Sequence, residues 1–300
     1  MHYLITGGTG FIGRRLTESL LADGHEVMLV SRDAERAMLQ FGSRVNSISL
    51  SDVSLLSSVK IDAVINLAGA PVADKRWTDS RKLEIKNSRI DFTQELIQRL
   101  YEAGQRPEVF VSGSAIGYYG PQEGNAPLSE NGPVEEGFQH SLCQQWEDAA
   151  MVAEKDLGAR VCCVRTGVVF GKGGGALSKM LPAFKLGLGG PIGNGAQWMS
   201  WVHLEDEVNI IRFLLEHDQL SGAFNATSPE AVTNSTFTRT LARTLRRPAF
   251  FRVPASLLKW AMGESSELLL SGQHVYPTAL VEAGYVFKFP DLQSALTSAT

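Results

Sequence analysis

Short apolar runs alternate with amphipathic segments along the first half of the chain, and this alternation predicts its fold. The runs have the length and composition of buried strands. They lie at 3–5, 26–30, 63–67, 109–112 and 160–165. The segments between them repeat apolar residues with helical spacing, most clearly at 11–23 and 82–103. Strands that alternate with helices in this way predict an α/β protein with a doubly wound, parallel sheet.

The pattern changes after residue 170. Two glycine-rich stretches, at 171–175 and 187–195, predict loops that we expect to border a substrate cleft. The helices predicted beyond residue 200 lie at 205–216, 234–245, 257–262 and 266–270. Asn234 or Ser235 is the expected N-cap of the second of these helices.

This change divides the chain into two predicted regions. Residues 1–170 form the sheet domain, and residues 171–300 form a smaller, mostly C-terminal subdomain on the substrate side. A strand or helix from 200–227 could return to the sheet.

Composition narrows the class of protein. The chain has 300 residues, of which 44% are hydrophobic and 20% charged, and its net charge is −4. These values are typical of a soluble enzyme. Since the chain shows no block of basic residues, we expect no nucleic acid partner.

Membrane and metal partners are not expected either. No apolar run approaches the roughly 20 residues that span a bilayer. The chain shows no signal peptide, so we expect a cytoplasmic protein. Its three cysteines, Cys143, Cys162 and Cys163, fit neither a zinc site nor a disulfide framework.

A glycine-rich turn, TGGTGFIG at 6–13, follows the first strand and opens the first helix. Glycines in this context allow a tight turn, let the backbone approach a pyrophosphate and let the helix pack on the strand. The free N–H groups at the start of the helix then face the phosphates. The turn therefore predicts a Rossmann-type dinucleotide site. Its expected contacts are Gly7, Thr9, Gly10, Phe11, Ile12 and Gly13.

The end of the second strand indicates which dinucleotide binds. NAD sites usually place an acidic residue there, on the ribose 2′-hydroxyl. Here the strand ends in Ser31 and Arg32, and Asp33 comes one step later. A guanidinium can pair with a 2′-phosphate in two-pronged fashion, and Ser31 can add a hydrogen bond. We therefore predict NADP(H), with a solvated Arg32 as the alternative.

Five motifs resemble the extended short-chain dehydrogenase/reductases of the NAD-dependent epimerase/dehydratase superfamily. They are TGGTGFIG (6–13), NLAGAP (66–71), VSGSAIGYYG (111–120), RTGVVFG (165–171) and SWVHLEDEV (200–208). WEDAA (146–150), GKGGGAL (171–177), LGLGGPIGNG (186–195) and a C-terminal segment at 247–296 are similar to the subgroup of "epimerase family proteins". The resemblance covers nearly the whole chain.

The resemblance implies further cofactor contacts. Leu67, Ala68 and Gly69 should pass beneath the ribose and pyrophosphate, and Val168 should flank the nicotinamide. Arg89 stands where relatives usually carry an Asn, and could bind the pyrophosphate or form a surface salt pair with Asp91 or Glu95. Glu84 could join the same polar cluster. Relatives often pair through the fourth and fifth helices, which makes a homodimer a candidate assembly.

The catalytic pattern of the family is incomplete here. Active members combine a Ser or Thr after the fifth strand with a Tyr-x-x-x-Lys whose Tyr moves a proton. Ser114 matches the first position, but Gln139 and Cys143 stand in the Tyr and Lys positions. Tyr118 and Tyr119, in the loop after Ser114, are the candidate substitutes.

Two interpretations remain open. One is an NADP(H)-dependent oxidoreductase or epimerase that acts on an unknown small or sugar-like carbonyl compound. The other is a catalytically silent, NADP(H)-binding regulatory or scaffold protein. Two lesser candidates, His140 and His203, are expected to be a surface and a buried histidine, respectively.

Overall fold

A seven-stranded parallel sheet forms the centre of the protein. The computed structural model describes residues 1–122 and 124–300, and bounds are given for these. Seven strands form this sheet: β1 His2–Thr6, β2 Glu26–Val30, β3 Asn46–Ile48, β4 Ala63–Asn66, β5 Val109–Ala115, β6 Arg160–Thr166 and β10 Gly222–Ala226. Two smaller pairs of strands lie outside it: β7 Val168–Phe170 with β9 Trp201–His203, and β8 Trp198–Met199 with β11 Val232–Thr233.

Helices cover both faces of this sheet and build the C-terminal region. They are α1 Phe11–Ala22, α2 Ala34–Phe41, α3 Asp79–Asn87, α4 Ile90–Glu102, α5 Phe138–Leu157, α6 Gly175–Lys185, α7 Leu204–Glu216, α8 Asn234–Leu245, α9 Ala255–Met262, α10 Glu267–Leu270, α11 Thr278–Glu282 and α12 Leu292–Ala299. Short 3₁₀ segments lie at Gly42–Arg44, Ser51–Ser58, Ile116–Tyr119 and Gly263–Ser266. No helix among the described residues is long and apolar enough to cross a lipid bilayer.

The strand order places a binding crevice next to β1. The order is β10-β6-β5-β4-β1-β2-β3, and every pairing in this sheet is parallel. The chain runs outward from β1 to β2 and β3 on one side, and to β4, β5 and β6 on the other. The carboxyl ends of β1 and β4 therefore flank the switch point, where doubly wound sheets bind ligands. The doubly wound α/β fold that we predicted is confirmed.

Successive residues of the central strands pack on opposite faces of the sheet. Leu4, Val64 and Phe110 are fully buried on the face that α4 and α5 cover. Their neighbours Ile5 and Ile65 are fully buried on the face that α1 and α7 cover. Because both faces are covered, the strands are near-continuous apolar runs, which is the reason that the sequence identified them.

A second core holds the C-terminal region together. Phe170 stacks between Trp201 and Phe237, with ring centroids 5.8 and 5.2 Å apart, and Leu296 of α12 packs in the same cluster. Strand β10 nevertheless joins the main sheet beside β6. It lies within the range 200–227, from which we expected a return to the sheet.

Two local predictions are wrong, and one helix was not predicted. The single helix predicted at 82–103 is two helices, because the Ser88 hydroxyl donates to the Ile85 carbonyl at 2.9 Å and accepts the Ala70 amide at 2.9 Å. Helix α6, which begins where the loop predicted at 171–175 ends, was not predicted, because its glycine N-cap gives no sequence signal. The N-cap of α8 is Thr233, which accepts the Thr236 amide, rather than Asn234 or Ser235.

Candidate cofactor and active site

The turn between β1 and α1 is tight because Gly13 packs directly against the Gly7 carbonyl. Gly7 has a φ of +67°, and a Cβ on Gly13 would lie 2.2 Å from the Gly7 carbonyl oxygen, closer than any real contact. Gly10 is the N-cap of α1 and offers no side-chain bond, and the first turn of α1 carries no acid. The amides at the start of the helix, including those of Phe11 and Ile12, are therefore left for an anion.

A chain of buried side chains fixes this turn against the loop after β4. The Thr6 hydroxyl donates to Asn66 Oδ1 at 2.7 Å, and Asn66 Nδ2 donates to the Thr93 hydroxyl at 2.8 Å. The Ala68 amide donates to Thr6 Oγ1 at 3.1 Å. The three predicted neighbours of the ribose and pyrophosphate in this loop are Leu67, Ala68 and Gly69. Both walls of the crevice are thus held in register by three hydrogen bonds.

The end of β2 leaves a cation free beside this crevice. Asp33 caps α2 by accepting the Arg36 amide at 2.9 Å, so its carboxylate is occupied at the helix terminus. Ser31 bonds the backbone of Asp33. Arg32 is exposed and forms no ion pair with any described residue. Arg36, which the sequence analysis did not single out, reaches towards the Thr9 carbonyl at 3.4 Å and adds a second cation.

Arg89 lies under the loop after β4 instead of on the surface. Its guanidinium donates to the carbonyls of Ala70 at 3.0 Å and Ile85 at 3.3 Å, and it lies 5.1 Å from the Trp146 ring. Burial lowers the pKa of Arg89 to about 10. A Cβ on Gly69 would touch this guanidinium, so the side chain supports the crevice wall. The predicted contact with pyrophosphate stays a prediction.

The expected neighbours of Arg89 pair with other cations. Glu84 pairs with Arg81 at 2.6 Å, and this bond lowers the pKa of Glu84. Glu95 pairs with Arg99 at 2.7 Å. The alternative of a surface salt pair between Arg89 and Asp91 or Glu95 is therefore wrong, whereas the place of Glu84 in one polar cluster with Arg89 stays a prediction.

The residues in the Tyr and Lys positions of the family are buried on α5. Gln139 Nε2 donates to Glu267 Oε1 at 2.7 Å. Burial raises the pKa of the Cys143 thiol to about 12. His140 is also buried, with Nδ1 2.5 Å from the Tyr118 carbonyl. The expected surface position of His140 is wrong, because the loop after β5 folds over the start of α5.

A buried ion pair lies beside these residues. Arg165, at the end of β6, binds both carboxylate oxygens of Glu147 on α5, each at 2.9 Å. Burial alone would lower the pKa of Arg165, but the bonds from Glu147 raise it above its usual value. Ser114, at the end of β5, donates to Glu147 Oε1 at 2.6 Å. Since its proton is used there, Ser114 can accept a hydrogen bond from a ligand but cannot also donate one.

The two candidate tyrosines differ sharply. Tyr119 is fully buried, donates to Asn225 Oδ1 at 2.6 Å and accepts from Arg165 at 3.1 Å. Burial raises the pKa of Tyr119 to about 12. Tyr118 is only half-buried, and its ring lies 3.4 Å from the Arg165 guanidinium carbon. This geometry disfavours Tyr119 as an acid and leaves Tyr118 the more accessible phenol.

One predicted site residue, Val168, and one that was not predicted, Arg165, lie at the ends of strands. Val168 opens β7, pairs with Trp201 of β9 and is half-buried; its place beside the nicotinamide stays a prediction. Glu147 and Arg165 were not among the site residues predicted from the sequence. Both stand inside the quoted motifs WEDAA and RTGVVFG, but their pairing joins positions 18 residues apart and requires the folded sheet.

Comparison with known proteins establishes the family. Residues 3–227 match the model of the NAD dependent epimerase/dehydratase family, and residues 253–299 match a domain of unknown function, DUF1731. The chain is 38% identical over 297 residues to the "Epimerase family protein SDR39U1 homolog, chloroplastic" of Arabidopsis thaliana, covering 97% of this chain and 84% of the relative. It is 36% identical over 299 residues to the mouse epimerase family protein SDR39U1, covering 99% and 98%.

The chain therefore belongs to the NAD-dependent epimerase/dehydratase family, as its motifs indicated. A crystal structure of human epimerase family protein SDR39U1 with NADPH matches with a TM-score of 0.88 and 36% identity, over 100% of this chain and 99% of that one. The UDP-glucose 4-epimerase of Thermus thermophilus in complex with NAD matches with a TM-score of 0.80 at 18% identity, over 100% and 97%. The second match shows a shared fold.

Removal of Arg165 should show how much the buried ion pair contributes to the stability of the fold. We expect Arg165→Met to lower the free energy of unfolding by about 3–5 kcal/mol, because Glu147 would keep a buried charge without a cation. The double variant with Glu147→Gln should recover part of this loss. Arg99→Met, which breaks an exposed pair one turn apart on α4, should cost at most about 0.5 kcal/mol. Urea denaturation measures all three; equal losses for Arg165→Met and Arg99→Met would contradict a buried role.

Proposed function

We propose that this chain binds NADP(H) across the switch point of its sheet and reduces or oxidises a small or sugar-like carbonyl or alcohol. The observation that carries the proposal is the start of α1, whose amides are unbonded and which packs on β1 through Gly7 and Gly13. Arg32, which forms no ion pair with a described residue, lies one strand away. The NADPH in the crystal structure of the human relative supports the same cofactor.

The residues present fit this dinucleotide. A pyrophosphate would take the free amides at Phe11 and Ile12, where the helix dipole favours negative charge; the Gly10 amide is held inside the turn by the Gly7 carbonyl at 2.9 Å. The 2′-phosphate would meet Arg32, with Arg36 close by. Because Asp33 is held at the N-cap of α2, no carboxylate at this strand end competes for the ribose.

A residue of the chain must donate a proton to the substrate oxygen or remove it. NADP(H), when bound, supplies or takes the hydride. In the reducing direction Tyr118 donates its phenolic proton to the carbonyl oxygen and recovers it from solvent. The Arg165 guanidinium lies against the Tyr118 ring and holds it in place. Ser114 donates its own hydrogen bond to Glu147, so it accepts a hydrogen bond from a substrate hydroxyl.

A second candidate function rests on α5. Gln139 and Cys143 occupy the Tyr and Lys positions, and each is buried, with Gln139 bonded to Glu267. Neither can transfer a proton as the usual pair does. A protein that holds NADP(H) and signals or bridges without turnover would need only the crevice.

Cofactor choice tests the first half of the proposal. We expect Arg32→Asp to weaken NADPH binding by roughly tenfold or more and to leave NADH binding unchanged or stronger, because a paired phosphate charge is lost. The measurement is titration of nucleotide fluorescence. Arg243→Asp, an exposed position on α8, is the matched control and should bind as the parent does. Unchanged NADPH affinity in Arg32→Asp would show that another group selects the cofactor.

Turnover tests the second half. With NADPH and a panel of carbonyl compounds, loss of reduced-nicotinamide absorbance identifies a substrate. We then expect Tyr118→Phe to lower kcat by about 10²–10⁴-fold and Tyr101→Phe, on the outer face of α4, to leave it unchanged. Full activity in Tyr118→Phe would remove Tyr118 as the acid. No turnover across the panel, with tight NADPH binding, would favour the silent alternative.

A further inference from the structure

The C-terminal region exposes an apolar surface that no described element covers. Phe250 is 84% exposed and Trp260 76%, and four further large apolar side chains around them are also exposed. We call these six residues the apolar surface: Leu186, Leu188, Phe250, Phe251, Leu257 and Trp260. Isolated exposed apolar residues are ordinary, but a group of this size marks a binding surface.

Backbone contacts join the first part of this surface. The Phe251 amide donates to the Gly189 carbonyl at 3.3 Å, and the Val253 amide donates to the Pro191 carbonyl at 3.0 Å. A Cβ on Gly187 would lie 3.3 Å from Pro248. The loop that carries Leu186 and Leu188 therefore runs alongside the segment that carries Phe250 and Phe251.

Helix α9 continues the surface. It begins directly after Pro254, and none of its residues is fully buried. Leu257 and Trp260 are three positions apart, so they lie on the same side of the helix. The helix is held to the sheet domain by polar contacts: Arg76 donates to the carbonyls of Trp260 and Ala261. Leu257 and Trp260 are nevertheless both more than half exposed.

The segment of sequence that carries Phe250, Phe251, Leu257 and Trp260 has charges of one sign. Between Glu230 and Glu264 the sequence contains six cations and no acid. The cations are Arg239, Arg243, Arg246, Arg247, Arg252 and Lys259, and none of them forms an ion pair with a described residue. Lys185 precedes Leu186 and is also exposed. The nearest following acid, Glu264, is already paired with Lys82 at 2.6 Å.

We propose that the apolar surface and its cations dock this protein on an anionic lipid bilayer. Exposed Trp, Phe and Leu beside unpaired Arg and Lys are the features of segments that lie in the plane of a membrane interface. The apolar side chains enter the interface and the cations meet the lipid phosphates. The sequence expectation of no membrane partner was based on spanning segments, and this peripheral contact needs none.

Charge complementarity favours this occupant over a second copy of the chain. Two copies joined through this surface would bring their unpaired cations together, and like charges in close contact destabilise an interface. A nucleic acid would use the cations but leave the aliphatic Leu186, Leu188 and Leu257 unused. The proposal does not depend on the cofactor or on turnover.

Sedimentation with lipid vesicles tests the proposal. We expect the full chain to sediment with vesicles that contain phosphatidylglycerol, to stay in solution with phosphatidylcholine alone, and to be released by salt. The double variant Phe250→Ser/Trp260→Ser should bind at least about tenfold more weakly. Arg246→Glu/Arg247→Glu should remove most of the binding through its charge.

The control is Met38→Ser/Leu39→Ser, which removes two exposed apolar residues of α2, Leu39 being 87% exposed. This variant should bind vesicles as the parent does. Circular dichroism and NADPH binding verify that each variant is folded. Absence of binding to anionic vesicles, equal loss in the α2 control, or a preference for duplex DNA over vesicles would each overturn the proposal. So would a parent dimer that the Phe250→Ser/Trp260→Ser variant disrupts.

Discussion

The close approach of Gly13 to the Gly7 carbonyl is the constraint on which the cofactor site depends. A side chain at Gly13 would overlap that oxygen, so the strand can meet the helix at this angle only with glycine there. The approach places the unbonded amides of α1 at the carboxyl edge of the sheet. The bonds from Thr6 through Asn66 to Thr93 then fix the opposite wall, because each strand end is tied to the next.

The chemistry of the site depends on a different contact, the ion pair of Glu147 with Arg165. Relatives of this fold place a Tyr and a Lys on the helix that here carries Gln139 and Cys143, and both of those are buried in polar or apolar contacts. Glu147 lies one turn further along α5 and bonds Ser114, and its partner Arg165, on β6, lies against the Tyr118 ring. A single buried charge network therefore orients the hydroxyl and the phenol that a substrate would meet.

The sequence predicted what depends on local pattern. Fully buried strands are continuous apolar runs, and a glycine turn between strand and helix has few other uses, so the sheet and the crevice could be predicted. The helix break at Ser88 could not, since it depends on a hydroxyl that bonds Ala70 across the fold. His140 was misplaced for a similar reason: its burial comes from the loop after β5. Glu147 lies on helix α5, and its partners Ser114 and Arg165 lie on β5 and β6, which only the register of the folded sheet brings together.

Hydrogen exchange of the backbone amides in the first turn of α1 tests the central claim most directly. If the free amides there hold a pyrophosphate, saturating NADPH should slow exchange at Phe11, Ile12 and Gly13 and leave the exposed helix α2 turn at Met38 and Leu39 unchanged. NADPH that binds tightly while these three amides exchange at their original rate would contradict the account, since the dinucleotide would then lie elsewhere.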